Sequence, residues 1–208
     1  MTEKIRIAVM VSGSGTNLQA LIDAVNDGRL EAAEIALVLS SRTDAYALTR
    51  AERAGVPAVV VSNQDFPDAG TRADAILRAL SEARIDLIVM AGYMSILSPR
   101  VCSAYAGRMI NIHPALLPKY GGIGYYGLHV HEAVLAAGES ESGATVHYVD
   151  DVGVDHGDII LQARVPVLPD DTPETLQARV HEAEYGILVQ ATGDVCRKII
   201  AERGNEQE

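Results

Sequence analysis

The stretch IRIAVMVSGSGTN, residues 5–17, decides the fold of this chain. Ile5 to Val11 is an apolar run interrupted only by Arg6, which is typical of a strand buried on both faces of a parallel sheet. The glycine-rich turn that follows leads into Asn17–Val25, where apolar residues recur at a helical spacing. The stretch therefore predicts the first strand, turn and helix of an α/β domain.

Further strands and helices alternate along the first half of the chain. The hydrophobic pattern predicts helices at Ala45–Ala54 and Thr71–Ala83. It predicts strands at Ile35–Leu39, Ala58–Val61, Leu87–Ala91 and Met109–Ile112. This alternation predicts a parallel sheet with helices on both faces.

The pattern changes in the second half. Ala144–Tyr148 and Ile159–Val165 have the character of two strands joined through an acidic loop, so we expect them to form a hairpin. Helices are predicted at Gly127–Ala137 and over most of Pro173–Ile200, with Gly186 or Gly193 as the candidate points of interruption. The predicted fold class is α/β and Rossmann-like, with a mostly parallel central sheet and an antiparallel C-terminal part.

Composition narrows the classes of function. The 208 residues, 48% of them hydrophobic, suit one globular domain spanning residues 1–208. A net charge of −11 without a basic cluster argues against nucleic acid as a partner. No apolar run reaches the length of a membrane span, and the N-terminus lacks the apolar region of a signal peptide. Since the only cysteines are Cys102 and Cys196, we expect a cytoplasmic, reducing location.

The turn Ser12-Gly13-Ser14-Gly15-Thr16-Asn17 is a candidate anion site. Its glycines let the backbone approach a ligand closely, and the N–H groups that begin the next helix favour a phosphate. A dinucleotide site would want a third glycine at Leu18 and an acidic residue near Ser40-Ser41-Arg42, where the second strand ends. A phosphate monoester is therefore favoured, with a dinucleotide and a purely structural turn as the alternatives.

Asn111-Ile112-His113-Pro114 is a candidate site for proton transfer. Residues two apart on a strand project to the same face, so Asn111 and His113 should lie side by side at the mouth of the sheet. Imidazole titrates near neutrality, and a carboxamide can hold a carbonyl oxygen without ionising. The pair suits proton transfer at a carbonyl carbon. The alternative is that Asn111 caps a turn and His113 is a loop residue without a chemical role.

The acidic loop between the hairpin strands, residues 149–158, contains four aspartates. A calcium loop is conceivable, but the spacing does not fit the helix–loop–helix motif, and a solvated turn explains most of these residues. Asp155 is best placed to point inward, where a carboxylate near His113 would stabilise its protonated form. Of the histidines, His147 is expected to face the same cleft, and His156 and His181 to face solvent. We assign no metal, because no ligand set of three or four converges.

Four segments together resemble the folate-dependent formyltransferase family over nearly the whole chain. They are residues 12–19, 91–97, 111–120 and 154–160, with Asn-x-His-Pro and a later Asp shared across the wider family. The glycine-rich turn ending in Asn-Leu-Gln is similar to the narrower purine-pathway branch. The resemblance implies a Rossmann-like formyltransferase fold. It also implies transfer of a formyl group from 10-formyltetrahydrofolate, as cosubstrate, to the amino group of glycinamide ribonucleotide.

The resemblance also implies roles for single residues. Asn111, His113 and Asp155 fall on the family's catalytic trio. The implied substrate-binding residues are Gly15, Thr16 and Asn17 at the phosphate, Glu184 at the ribose hydroxyls, and Arg72 near the entrance. The implied folate-binding residues are Met94, Ser95, Ile96, Leu97 and Asn111. Two departures stand out: Ser95 replaces an arginine found in many members, and a glycine-rich insertion occupies Gly121–Tyr126.

The family has members with other activities, which remain alternatives: hydrolysis of formyltetrahydrofolate, and formylation of a nucleotide sugar or of initiator tRNA. Hydrolysis of formyltetrahydrofolate usually involves an extra N-terminal domain, and formylation of initiator tRNA a basic C-terminal domain. A non-catalytic or redox nucleotide-binding protein is disfavoured by the missing third glycine. We expect residues 1–107 to form the phosphate-binding half and residues 108–208 the folate-binding and catalytic half, in a monomer or homodimer.

Overall fold

A computed structural model describes residues 4–151 and 153–205; Val152, in the acidic loop, lies outside the described residues. The strands are β1 (Ile5–Val11), β2 (Ala33–Ser40), β3 (Ala58–Val60), β4 (Leu87–Met90), β5 (Met109–His113), β6 (Glu141–Tyr148) and β7 (Ile159–Pro166). The helices are α1 (Thr16–Asn26), α2 (Tyr46–Arg53), α3 (Ala69–Glu82), α4 (Pro99–Ala104), α5 (Leu128–Ala136) and α6 (Pro173–Asn205).

Within the described residues the strands form one sheet of order β3-β2-β1-β4-β5-β6-β7. The pairs from β3 through β5 are parallel, whereas β5–β6 and β6–β7 are antiparallel. The predicted mostly parallel sheet with an antiparallel C-terminal part is therefore confirmed. Strand order reverses between β1 and β4, which is where open α/β sheets form a ligand crevice beyond the carboxyl ends of their strands.

The core lies on both faces of the sheet, because the central strands are apolar throughout. On one face α1 and α6 pack against side chains such as Val9 and Ile110. On the other face α3 and α4 cover Met10, Ile88 and Met109. Burial on both faces explains why these strands are continuous apolar runs instead of alternating patterns.

Helix α6 differs most from its prediction. The interruption expected at Gly186 or Gly193 is wrong, since the helix runs unbroken from Pro173 to Asn205. Gly186 has open space around it, and Gly193 allows close contact with Leu30. A helical glycine costs about 1 kcal/mol relative to alanine, and the packing of buried residues along the whole helix outweighs that cost. The short helix α4 was not predicted, because six residues are too few to show a period.

Candidate active site

A single cleft of about 690 Å³ opens at the carboxyl ends of β1, β4 and β5. Its walls are the loops that follow these strands, the glycine-rich insertion, the acidic loop and one face of α6. Residues from both halves of the chain therefore line the same cleft. The contributing residues include Ser12–Asn17, Met90–Leu97, Asn111–Pro114, Gly122–Gly127, Gly153–Asp155, Gln177, His181 and Glu184.

The turn between β1 and α1 lies at one end of the cleft. Gly15 precedes α1 with φ +72°, a left-handed conformation that favours glycine. A Cβ at this position would lie 2.6 Å from the Cβ of Ala47, on α2. Packing against α2 thus requires a glycine at position 15, and the approach of a ligand to this turn stays a prediction. The first N–H groups of α1, from Thr16 onward, have no partner within the helix, as expected for an anion site.

Asn17 and Glu184 meet on the wall beside this turn. Asn17 Nδ2 donates to Glu184 Oε2 at 2.7 Å, and the glutamate is only 3% exposed. Burial raises the pKa of Glu184 to about 7, although the hydrogen bond from Asn17 opposes the shift. His181 Nε2 lies 4.0 Å from Glu184 Oε2 and lines the cleft, so its expected solvent-facing position is only partly correct.

Asn111, His113 and Asp155 come together at the centre of the cleft. His113 Nδ1 lies 3.3 Å from Asp155 Oδ2, and both side chains are almost fully buried. Asn111 Nδ2 donates to Asp155 Oδ1 at 3.3 Å. The spacing of Asn111 and His113 on β5 places them on one face, and the acidic loop brings Asp155 to them. The three residues predicted to act together are therefore neighbours.

The backbone of the glycine-rich loop completes this cluster. His113 Nε2 donates to the carbonyl of Tyr120 at 2.7 Å, and Asp155 Oδ2 accepts from the N–H of Gly122 at 3.0 Å. When Nε2 carries the proton of a neutral imidazole, the lone pair of Nδ1 faces the lone pairs of the Asp155 carboxylate. A second proton on Nδ1 replaces this repulsion with a hydrogen bond to Asp155. The loop thus occupies Nε2 and leaves Nδ1 as the nitrogen that faces Asp155.

Burial and charge act in opposite directions on this pair. Burial lowers the pKa of His113, while Asp155 and the Tyr120 carbonyl raise it, and the net shift is downward. Burial raises the pKa of Asp155, but hydrogen bonds from His147 and Gly122 and the charge of His113 outweigh it, so the pKa lies below its usual value. The carboxylate therefore stays ionised at neutral pH, where it favours a protonated imidazole.

His147 supports Asn111 from the neighbouring strand. The register of β5 and β6 pairs Asn111 with His147. His147 Nδ1 lies 2.7 Å from the carbonyl of Tyr148, and Nε2 lies 3.1 Å from Asn111 Nδ2 and 3.4 Å from Asp155 Oδ1. This contact fixes the orientation of the carboxamide. Sequence alternation placed His147 toward the cleft but gave no sign of its partner.

Residues 5–192 match the formyl transferase family. The chain belongs to this family. The predicted resemblance is therefore confirmed.

The chain is also similar to individual proteins, in sequence and in structure. It is 46% identical over 182 residues to the phosphoribosylglycinamide formyltransferase of Haemophilus influenzae, covering 88% of this chain and 82% of that protein. It is 50% identical over 187 residues to the trifunctional purine biosynthetic protein adenosine-3 of Drosophila pseudoobscura pseudoobscura, covering 89% of this chain but 13% of that protein. The phosphoribosylglycinamide formyltransferase structure from Coxiella burnetii superposes with a TM-score of 0.83 and 44% identity, covering 92% of this chain and 86% of that one.

The segment Met94–Leu97 forms an apolar wall of the cleft. Met94 and Ile96 are 51% and 68% exposed, and Ser95 and Leu97 also line the cleft. The segment is fixed at its start, because Met94 N donates to Ser12 Oγ at 2.8 Å. Ile123, 84% exposed, lies among the lining residues contributed by the glycine-rich loop. This arrangement suits a flat heteroaromatic ligand that inserts between apolar side chains.

Arg72 and His131 are two further polar residues near the cleft, one beside it and one on its wall. Arg72, on α3, donates to the carbonyl of Phe66 at 2.9 Å and is not among the cleft-lining residues, so its substrate-binding role stays a prediction. His131, which sequence reasoning missed, is fully buried at the cleft wall, and burial lowers its pKa to about 4. It is therefore neutral at physiological pH.

Across residues 4–151 and 153–205, no group of three or more His, Cys, Asp or Glu side chains could hold a metal ion. Over the same ranges, no helix has both the length and the apolar character needed to cross a membrane.

Proposed function

We propose that this chain transfers the formyl group of 10-formyltetrahydrofolate to the amino group of glycinamide ribonucleotide. The proposal is carried by the lining of the cleft, because the Asn111–His113–Asp155 cluster shares it with the anion-binding turn and with the apolar segment Met94–Leu97. A phosphorylated acceptor and a flat cosubstrate can then meet at the cluster.

The placement of the two substrates follows from the chemistry of the walls. The turn at Gly15, Thr16 and Asn17 would bind the substrate phosphate through helix N–H groups. Glu184, held by Asn17, would accept hydrogen bonds from the ribose hydroxyls. The segment Met94–Leu97 would hold the pterin, since it combines exposed apolar side chains with backbone amides. Folate carries no phosphate and has no need of the turn.

The proposed reaction is direct attack without a covalent enzyme intermediate. The substrate amine forms a bond to the formyl carbon, the bond from that carbon to the folate nitrogen breaks, and a proton passes from the amine to the leaving nitrogen. Asn111 and protonated His113 would stabilise the oxyanion as hydrogen-bond donors that β5 presents on one face. Asp155 opposes the effect of burial on His113, favours its protonated form and would organise the proton transfer.

Hydrolysis of formyltetrahydrofolate is the second candidate, because water could replace the amine at the same carbon. The anion turn and the buried Asn17–Glu184 pair favour a phosphorylated acceptor, since water needs neither. The test is to measure tetrahydrofolate release from 10-formyltetrahydrofolate with and without glycinamide ribonucleotide. Release that depends on the ribonucleotide supports the transferase, and equal release without it overturns the proposal.

We also propose that the protein works in the cytoplasm as a monomer or homodimer, without nucleic acid or membrane partners. Cys102 and Cys196 are free and buried, which suits a reducing compartment. The net charge of −11 disfavours nucleic acid.

Glu184→Gln is expected to stabilise the fold at alkaline pH while weakening substrate binding. The pKa of Glu184 is raised from 4.5 to about 7, so the folded state binds the proton more tightly than the unfolded chain does. Stability should therefore fall as pH rises from about 4.5 to 7, by roughly 3 kcal/mol. The neutral amide avoids this loss but is a weaker acceptor for ribose hydroxyls.

The measurement is the unfolding midpoint at pH 5 and pH 8, together with the KM for the ribonucleotide. We expect the advantage of the variant to appear at pH 8 and the KM to rise about tenfold. Glu182→Gln, an exposed neighbour on α6, is the matched control and should change neither quantity. A Glu184 variant with wild-type stability at both pH values and a wild-type KM would contradict both roles.

Gly121→Ala is expected to lower kcat about tenfold by displacing the loop from Asp155. A Cβ at position 121 would lie 2.5 Å from Leu117 Cδ2 and 3.3 Å from Asp155 Cβ, so the loop and the carboxylate must move apart. The hydrogen bond from Gly122 to Asp155 should lengthen. Steady-state kinetics checks this, with Gly186→Ala as control because its position on α6 has open space. Unchanged kcat in the Gly121 variant would mean that the loop does not position Asp155.

A further inference from the structure

Helix α2 donates hydrogen bonds to two backbone carbonyls of the turn between β1 and α1, residues 12–17. Ala47 N donates to the carbonyl of Gly13 at 3.1 Å, and Arg50 Nε donates to the carbonyl of Ser14 at 2.8 Å. In a trans peptide the carbonyl and the following N–H point in opposite directions. The N–H groups of Ser14 and Gly15 therefore point away from α2, on the side where the turn lines the cleft.

Arg50 is itself held in place by two further contacts. Its Nη1 donates to Gln19 Oε1 at 3.1 Å, which ties α2 to α1. Its guanidinium carbon lies 5.1 Å from the centre of the Tyr46 ring, within range of a cation–π interaction. Arg50 does not line the cleft, so any effect on the ligand must pass through the turn.

We propose that Arg50 is a positioning residue for substrate phosphate, because it fixes the Ser14 carbonyl and so aims the amides of the turn at the anion. The inference rests on the proposed function in one respect, that the turn binds a phosphate. The planar guanidinium of Arg50 donates to Ser14 through Nε and to Gln19 through Nη1 at the same time. A lysine at this position has one nitrogen and cannot reproduce both bonds in the same geometry.

Arg53 provides a matched control on the same helix. Its guanidinium carbon lies 5.9 Å from the centre of the same Tyr46 ring, and its Nη1 donates to the Tyr46 hydroxyl at 3.2 Å. Arg50→Gln and Arg53→Gln each remove one positive charge and a cation–π contact with the Tyr46 ring. Only the first removes the hydrogen bonds to Ser14 and Gln19, so a difference between the two variants separates those bonds from general electrostatics.

The experiment measures binding of inorganic phosphate to the full chain and steady-state kinetics with both substrates. We expect Arg50→Gln to weaken phosphate binding and raise the KM for the ribonucleotide about tenfold each. The kcat and the KM for the folate should stay near wild type. Arg53→Gln should change none of these, and Arg50→Lys should recover only part of the loss.

Three results would overturn the inference. Equal effects of Arg50→Gln and Arg53→Gln would assign the change to net charge, and full recovery in Arg50→Lys would do the same. A fall in kcat with unchanged phosphate binding would place Arg50 outside phosphate recognition. A separate measurement tests the phosphate site of the proposed function. If titration of the wild-type chain with phosphate does not shift the NMR resonances of the Ser14 and Gly15 backbone amides, the turn is not the phosphate site.

Discussion

His113→Ala is expected to reduce kcat by several hundredfold or more, about what the loss of a proton-transfer or oxyanion-stabilising group costs. The imidazole is 4% exposed and bonded on both sides, to Asp155 through Nδ1 and to the Tyr120 carbonyl through Nε2. Alanine removes the imidazole that would stabilise the oxyanion in the proposed reaction. It also leaves Asp155 without its main opposite charge.

Folate binding should survive this change, because the apolar wall at Met94 and Ile96 is not touched. We would measure single-turnover release of tetrahydrofolate and, separately, the Kd of a non-reactive folate analogue. His129→Ala is the control, since His129 is exposed and paired with Glu132. A His113 variant that turns over within a few-fold of wild type would remove His113 from the chemistry.

The sequence predicted the parts of the site that depend on the residue spacing within one strand or at the start of one helix. Asn111 and His113 are two apart on a strand, and the period of two fixes their common face whatever surrounds them. The glycine-rich turn before α1 was predicted for a similar reason, because glycine and a helix start are local signals. Asp155 was placed near His113 from its inward position in the loop of a predicted hairpin, and the structure has it there.

The backbone partners of the cluster could not be predicted. The Tyr120 carbonyl and the Gly122 N–H belong to groups that every residue type possesses, so no side-chain pattern marks them. Their positions depend on a loop whose path requires positive φ at Tyr120 and Gly122. Such conformations follow from tertiary packing and not from local propensity.

The same reasoning explains why Arg50 was not predicted to contribute to the site. On α2 it is one of several charged residues, and its hydrogen bond to Ser14 spans 36 residues of sequence. The packing of Ala47 against Gly15 brings the two elements together. Long-range contacts of this kind depend on how helices are placed on the sheet, which the hydrophobic pattern of a single helix does not specify.

Asp155→Asn is expected to lower kcat about a hundredfold or more while the protein stays folded. Asp155 has φ +61°, a left-handed conformation that asparagine adopts as readily as aspartate, so the loop should keep its path. The amide oxygen can still accept from Gly122. It carries no charge, however, and so cannot stabilise the imidazolium of His113.

The pH dependence of this variant gives the sharper test. Burial lowers the pKa of His113, and the charge of Asp155 is the largest influence opposing it. Removing that charge should lower the pKa of His113 further. If activity requires protonated His113, the fall in kcat with rising pH should then begin at a lower pH in the variant than in wild type. Asp158→Asn, exposed in the same loop, should leave the kcat–pH profile in place. An Asp155 variant whose profile coincides with that of wild type would mean that Asp155 serves only the turn and that another group sets the charge of His113.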